Sequence, residues 1–124
     1  IVLAVATAVV AHPASASPRL AAEKHCTACH AMDKKAAGPS FRAIAEKYRD
    51  HPESSDMLVS RVREGGWGHW GDMMMPPKTE PSRVSEEEAR ALVRWILQLR
   101  SPARMRSALS KRRAGPADLK RVAN

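Results

Sequence analysis

The sequence predicts an all-α protein: four short helices around a centre that its own side chains do not fill. Helical periodicity recurs in four segments, and no segment alternates as a strand would. One long stretch, residues 65–83, is rich in Gly, Trp, Met and Pro and has no period at all. Aromatic side chains are scarce, with one Phe, one Tyr and three Trp among 124 residues that include nine Pro. A domain of this size buries only a modest core unaided, so another group is expected at its centre.

The elements follow in order. Ser17-Pro18 has the chemistry of a helix start, and residues 20–30 are expected to run on as a short helix rich in Ala, Glu and Lys. Residues 31–39 form a loop closed by Gly38-Pro39. Ser40 caps a second helix in which Phe41, Ile44, Ala45 and Tyr48 fall at i, i+3, i+4 and i+7, one buried stripe. A third helix over residues 54–64 turns Met57, Leu58 and Val62 inward and stops at Gly65-Gly66. The last is the clearest: Ser85 and Glu88 make a capping box, and Ala89, Leu92, Val93, Ile96 and Leu99 recur every 3.6 residues.

Three regions divide the chain. Residues 1–16 read as an export signal, an apolar run followed by the small-x-small pattern Ala14-Ser15-Ala16, with cleavage expected near Ala16. The initiating Met and basic leader are absent, so the sequence reads as part of a precursor; an uncleaved anchor or a buried N-terminal helix is the alternative. Residues 17–100 are a single domain. Residues 101–124 are a basic tail, expected to be mobile, within which residues 105–113 have the composition of a short helix. The tail holds seven Lys or Arg against Asp118, so it accounts for +6 of the formal charge of +8 and leaves the domain nearly balanced. That distribution argues against a phosphate-binding face and hence against nucleic acid as partner. Composition also excludes a polytopic membrane protein, and two cysteines exclude a multi-disulfide scaffold.

Both cysteines lie in Cys26-Thr27-Ala28-Cys29-His30, the C-x-x-C-H pattern of covalent c-type haem attachment. On a helical turn, positions i, i+3 and i+4 share a face, so both sulfurs can bond the haem vinyl groups while the His30 imidazole reaches the iron. Other readings compete. A redox-active disulfide wants a βαβ context, a zinc site lacks an obvious fourth ligand, and a plain disulfide strains cysteines three apart in a helix. Haem accounts best for the pentapeptide beside an export signal in an all-α chain.

Over residues 18–100 the sequence resembles the short bacterial class I c-type cytochromes, monohaem electron carriers of the periplasm. The resemblance rests on Cys26-x-x-Cys29-His30, Gly38-Pro39, Arg61, Trp70-Gly71, Met75-Pro76-Pro77 and Trp95 in a C-terminal helix. It implies the class I cytochrome c fold, one covalent haem c with its iron, His30 as proximal axial ligand and Met75 as distal ligand. Met75 suits that place on chemical grounds, since thioether sulfur favours ferrous iron and two prolines stiffen the loop behind it. Met73, Met74, His25, His51 and His69 are the competing candidates. The resemblance further implies that the Pro39 carbonyl accepts the His30 ring N–H, and that Arg61 and the Trp70 indole donate to a haem propionate. Trp67 and Trp95 are expected to pack in the core, Trp95 where the first and last helices cross. The sequence departs from the family at Lys78, where an Asn usually hydrogen-bonds the ligand sulfur. It also departs in the length of residues 78–84, in the lack of an aromatic in the first helix, and in the tail.

The function implied is one-electron transfer between respiratory-chain redox proteins, with no catalysis, by a monomer in the periplasm. A haem subunit of a larger dehydrogenase or reductase complex is one alternative. A haem enzyme or gas sensor with five-coordinate iron, should Met75 not bind, is the other. The tail either docks the carrier to an acidic partner or an anionic membrane surface, or is a solvated extension without a function of its own.

Overall fold

A computed structural model describes residues 18–113; the expected export signal, residues 1–16, and the end of the tail lie outside the described residues. The expected four helices of the domain are α1 (Pro18–Glu23), α2 (Phe41–Tyr48), α3 (Ser55–Glu64) and α4 (Glu86–Gln98), and a fifth, α5 (Pro102–Arg113), occupies the tail. Short 3-10 turns lie at Cys26–Ala28 and Pro52–Ser54. Among the described residues the only β-type pairing is one antiparallel bridge between Gly66 and Met75.

The first helix is shorter than periodicity suggests. His25 adopts φ 55°, ψ 25°, a left-handed conformation that ends α1 before the cysteines. The next turn is therefore a separate tight one, closed by Cys29 N–H to Cys26 O at 3.2 Å and His30 N–H to Cys26 O at 3.0 Å. The predicted single helix over residues 20–30 is thus two pieces, but the second still brings Cys26, Cys29 and His30 into one turn.

Helix α4 is the spine, packing against both α2 and α3. Its start has a complete capping box: Ser85 Oγ accepts from Glu88 N–H at 3.1 Å, and the Glu88 carboxylate accepts from Ser85 N–H at 2.9 Å. Lys24 Nζ reaches the same carboxylate at 2.9 Å and the Arg83 carbonyl at 2.9 Å, tying the end of α1 to the start of α4. The Ser85 N–H and Lys24 together hold the Glu88 carboxyl below the usual carboxylate range. Leu92, Val93 and Ile96 of α4 meet Phe41 and Ala45 of α2 and Val59 of α3. In helix α3 Val59 is buried, and Leu58 and Val62, expected to face inward, are half-buried beside the core. Trp95 packs edge-on against Phe41 of α2, ring centroids 5.2 Å apart. Trp67 is 72% exposed and is no core residue. In the tail, where the sequence left a choice between a mobile segment and a short helix, residues 102–113 are helical.

Candidate functional site

The helices do not close on one another. Between them lies an apolar cleft, floored by Leu92, Val93 and Ile96 of α4 and walled by Ile44, Leu58 and Val62. Cys26, Cys29, His30 and Met75 all line it, as do Pro39, Arg61 and Trp70. Side chains from seven segments of sequence therefore share one cavity at the centre of the molecule.

The cysteine turn supplies two unpaired thiols, Cys26 buried and Cys29 half-exposed. Burial pushes the Cys26 thiol up from its ordinary value, with the Lys78 charge pulling weakly the other way. His30 leaves the turn with Nδ1 2.7 Å from the Pro39 carbonyl oxygen. That acceptor places the ring proton on Nδ1 and leaves Nε2 as a free lone pair. Phe41 stacks beside the imidazole, centroids 5.6 Å apart. Gly38 makes the seat: a Cβ there would lie 2.7 Å from His30 Cε1, closer than real contacts allow.

Met75 is held by its main chain. Its N–H and carbonyl exchange two hydrogen bonds of 2.8 Å with Gly66. Gly65, at φ 72°, leaves no room for a side chain: a Cβ would sit 2.2 Å from the Met75 carbonyl oxygen and 2.7 Å from the Pro76 carbonyl carbon. The two glycines that stop α3 thus also let the Met75-Pro76-Pro77 arm lie against it. Beyond the prolines, Lys78 N–H donates to Arg63 O at 3.1 Å, a main-chain tie at the position where the family usually carries Asn. Met73 and Met74 line the same cleft but are 59% and 57% exposed. Of the competing histidines only His69 reaches the cleft.

At the mouth, Arg61 Nη1 donates to the Gly65 carbonyl at 3.2 Å and Nη2 lies 3.4 Å from His69 Nε2. Lys47 Nζ sits 4.6 Å above the Trp70 ring, and Tyr48 meets that ring edge-on. These contacts of Lys47, Tyr48 and His69 were not legible in the sequence, because none belongs to a motif.

Two thiols on one turn, an imidazole with a fixed tautomer, a thioether on a braced arm and an apolar wall suit a flat, covalently held metal macrocycle. Zinc is a poor match: among the described residues no three His, Cys, Asp or Glu side chains converge to hold a metal ion. The family model described as Cytochrome c matches residues 14–100. The chain belongs to the cytochrome c family. It is 43% identical over 74 residues to cytochrome c-551 of Azotobacter vinelandii, a match covering 60% of this chain and 85% of the relative. The crystal structure of Nitrosomonas europaea cytochrome c552 aligns with TM-score 0.62 and 37% identity over 68% of this chain and all of that one. The class 1 cytochrome MtoD of Sideroxydans lithotrophicus aligns with TM-score 0.53 and 34% identity, over 68% of this chain and 92% of that one. As a cytochrome c, the protein has the helical class I fold, carries covalent haem c with its iron, and is an electron-transfer protein rather than an enzyme. No helix among the described residues is long and apolar enough to cross a membrane.

Proposed function

We propose that this cytochrome is a monomeric periplasmic carrier in which Cys26 and Cys29 hold the haem by thioether bonds and His30 and Met75 close both axial positions. The observation that carries the reading is the convergence of those four side chains on one apolar cleft, with His30 Nδ1 spoken for by Pro39. When bound, haem iron takes up and releases one electron. The chain's own residues do the rest. Pro39 and Gly38 orient the imidazole, and its Nδ1 hydrogen bond strengthens Nε2 as a donor. The Gly66 bridge fixes Met75, whose sulfur stabilises the reduced form. Arg61 and the Trp70 indole N–H serve the haem propionates at the mouth, where their charge and polarity offset the cost of a carboxylate beside an apolar wall. The apolar walls keep water from the centre.

With both axial positions closed, the reduced holoprotein at neutral pH does not bind carbon monoxide. Rapid stoichiometric binding without denaturant would replace the carrier with a five-coordinate enzyme or sensor.

Donor and acceptor meet the mouth of the cleft over a small area suited to fast release. The tail assists that encounter. Helix α5 carries Arg104, Arg106, Lys111, Arg112 and Arg113 with no acidic residue. No two of these cations are spaced i,i+3 or i,i+4, so like-charge repulsion between adjacent turns is avoided. They surround the helix instead of flanking an apolar stripe, which suits an acidic protein surface better than insertion into a membrane interface. Electron-transfer rates with the donor are expected to fall several-fold between low and physiological salt, and deletion of residues 101–124 to flatten that dependence. An unchanged salt slope after deletion removes the tail from the account.

A further inference from the structure

His69, a competing candidate for the iron, is the polar hub of the loop between Gly66 and Gly71. Its carbonyl accepts from Lys47 Nζ at 2.6 Å, its Nδ1 lies 3.4 Å from the Tyr48 hydroxyl, and its Nε2 lies 3.4 Å from Arg61 Nη2. Two helices thus reach one loop residue, Lys47 and Tyr48 from α2 and Arg61 from α3. A guanidinium only donates, so the contact with Arg61 requires a bare lone pair on Nε2. The ring proton therefore belongs on Nδ1, directed to the Tyr48 oxygen.

Arg61 is constrained along its whole length. Its guanidinium runs so close to Gly66 that a Cβ there would overlap Nη1, and Nη1 donates to the Gly65 carbonyl. The remaining branch, Nη2, has His69 as its described partner. We infer that His69, as a neutral imidazole, is a positioning residue for Arg61, fixing its guanidinium at the wall of the haem cleft. Protonated His69 cannot accept from Arg61, and it faces two cations, Lys47 and Arg61; its described hydrogen-bond partners include no carboxylate. Acid therefore both releases Arg61 and adds positive charge at the mouth, and positive charge there favours the reduced form. The reduction potential rises as pH falls, through His69.

This inference rests on the His30/Met75 carrier, whose potential is the readout. The test is the midpoint potential of the full-length holoprotein followed across about pH 5 to 8 in the wild type, His69→Gln and His69→Leu, with the oxidised absorption spectrum recorded for each. In the wild type the reduction equilibrium constant is expected to rise about threefold on the acid side, roughly 30 mV at 59 mV per tenfold for one electron. Gln can accept from Arg61 but does not titrate, so His69→Gln keeps the wild-type potential at the alkaline end and loses the acid rise. His69→Leu loses the rise and departs from the wild-type potential throughout. The inference is overturned if His69→Gln keeps the full rise, which assigns it to a propionate or another group, or if His69→Leu matches the wild type at every pH. Should His69→Leu fail to hold haem, the pH profile of His69→Gln decides alone. A wild-type oxidised spectrum without the weak long-wavelength band of methionine ligation would instead overturn the carrier reading.

Discussion

Met75→Leu holoprotein is expected to fold and keep its haem, bind carbon monoxide when reduced, and show a reduction potential lower by roughly a tenth of a volt or more, a modest part of the ~0.8 V range that axial ligands command. Leu has nearly the volume of Met, so the packing change costs less than about 1.5 kcal/mol, and the Gly66 bridge is made by main-chain atoms that the substitution leaves in place. The change therefore isolates the sulfur. Removing it withdraws the soft ligand that favours ferrous iron and opens the sixth position. Spectrophotometric redox titration and carbon monoxide binding check the two halves. A potential unchanged from wild type, together with continued exclusion of carbon monoxide, would show that Met75 is not the ligand.

Gly65→Ala is expected to damage the protein more broadly, costing about 3 kcal/mol or more. Ala tolerates φ 72° poorly, and its Cβ would begin 2.2 Å from the Met75 carbonyl oxygen and 2.8 Å from Pro77 N. These are backbone atoms of a proline-stiffened arm, so no flexible side-chain end can give way. To reach a contact of 3.4 Å, the arm must withdraw by more than about 1 Å. The main-chain exchange between Gly66 and Met75 lies in its path. Chemical denaturation monitors the stability, and the band of methionine ligation monitors the arm. Both should fall together. Wild-type stability with an intact band would mean that the arm is not braced against α3 in this way.

Much of this arrangement was legible in the sequence because local rules and tertiary packing agree there. Ser85 and Glu88 form a cap from purely local contacts, and the apolar stripe of α4 has only one way to face a core. The cysteine turn was legible as a motif, but its local shape was not. The composition of residues 20–30 favours one continuous helix, whereas His25 takes a left-handed conformation that its residue type does not announce. The tryptophans divide by the same logic. Hydrophobicity alone placed Trp67 inside, yet it sits in an irregular loop at the cleft rim, where no periodicity fixes the direction of a side chain. Trp95, on a regular helix, was assigned inward and packs against the core, where its neighbour Phe41 comes from far away in sequence. Gly65 and Gly66 read as a helix stop, which they are. Their second role is tertiary: Gly65 admits the Met75 arm, chain that returns some ten residues later, and Gly66 admits the Arg61 guanidinium folded back from α3. His69 was hidden for the same reason: its partners come from two helices, and no spacing rule connects them.

The proposed carrier depends on Met75, alone among the methionines lining the cleft, as the second ligand of the iron. The most direct measurement is the absorption spectrum of the oxidised full-length holoprotein, compared among wild type, Met73→Leu, Met74→Leu and Met75→Leu. The weak long-wavelength band of methionine ligation is expected in the first three and is lost in Met75→Leu. A band that survives Met75→Leu, or is missing from the wild type, would contradict it.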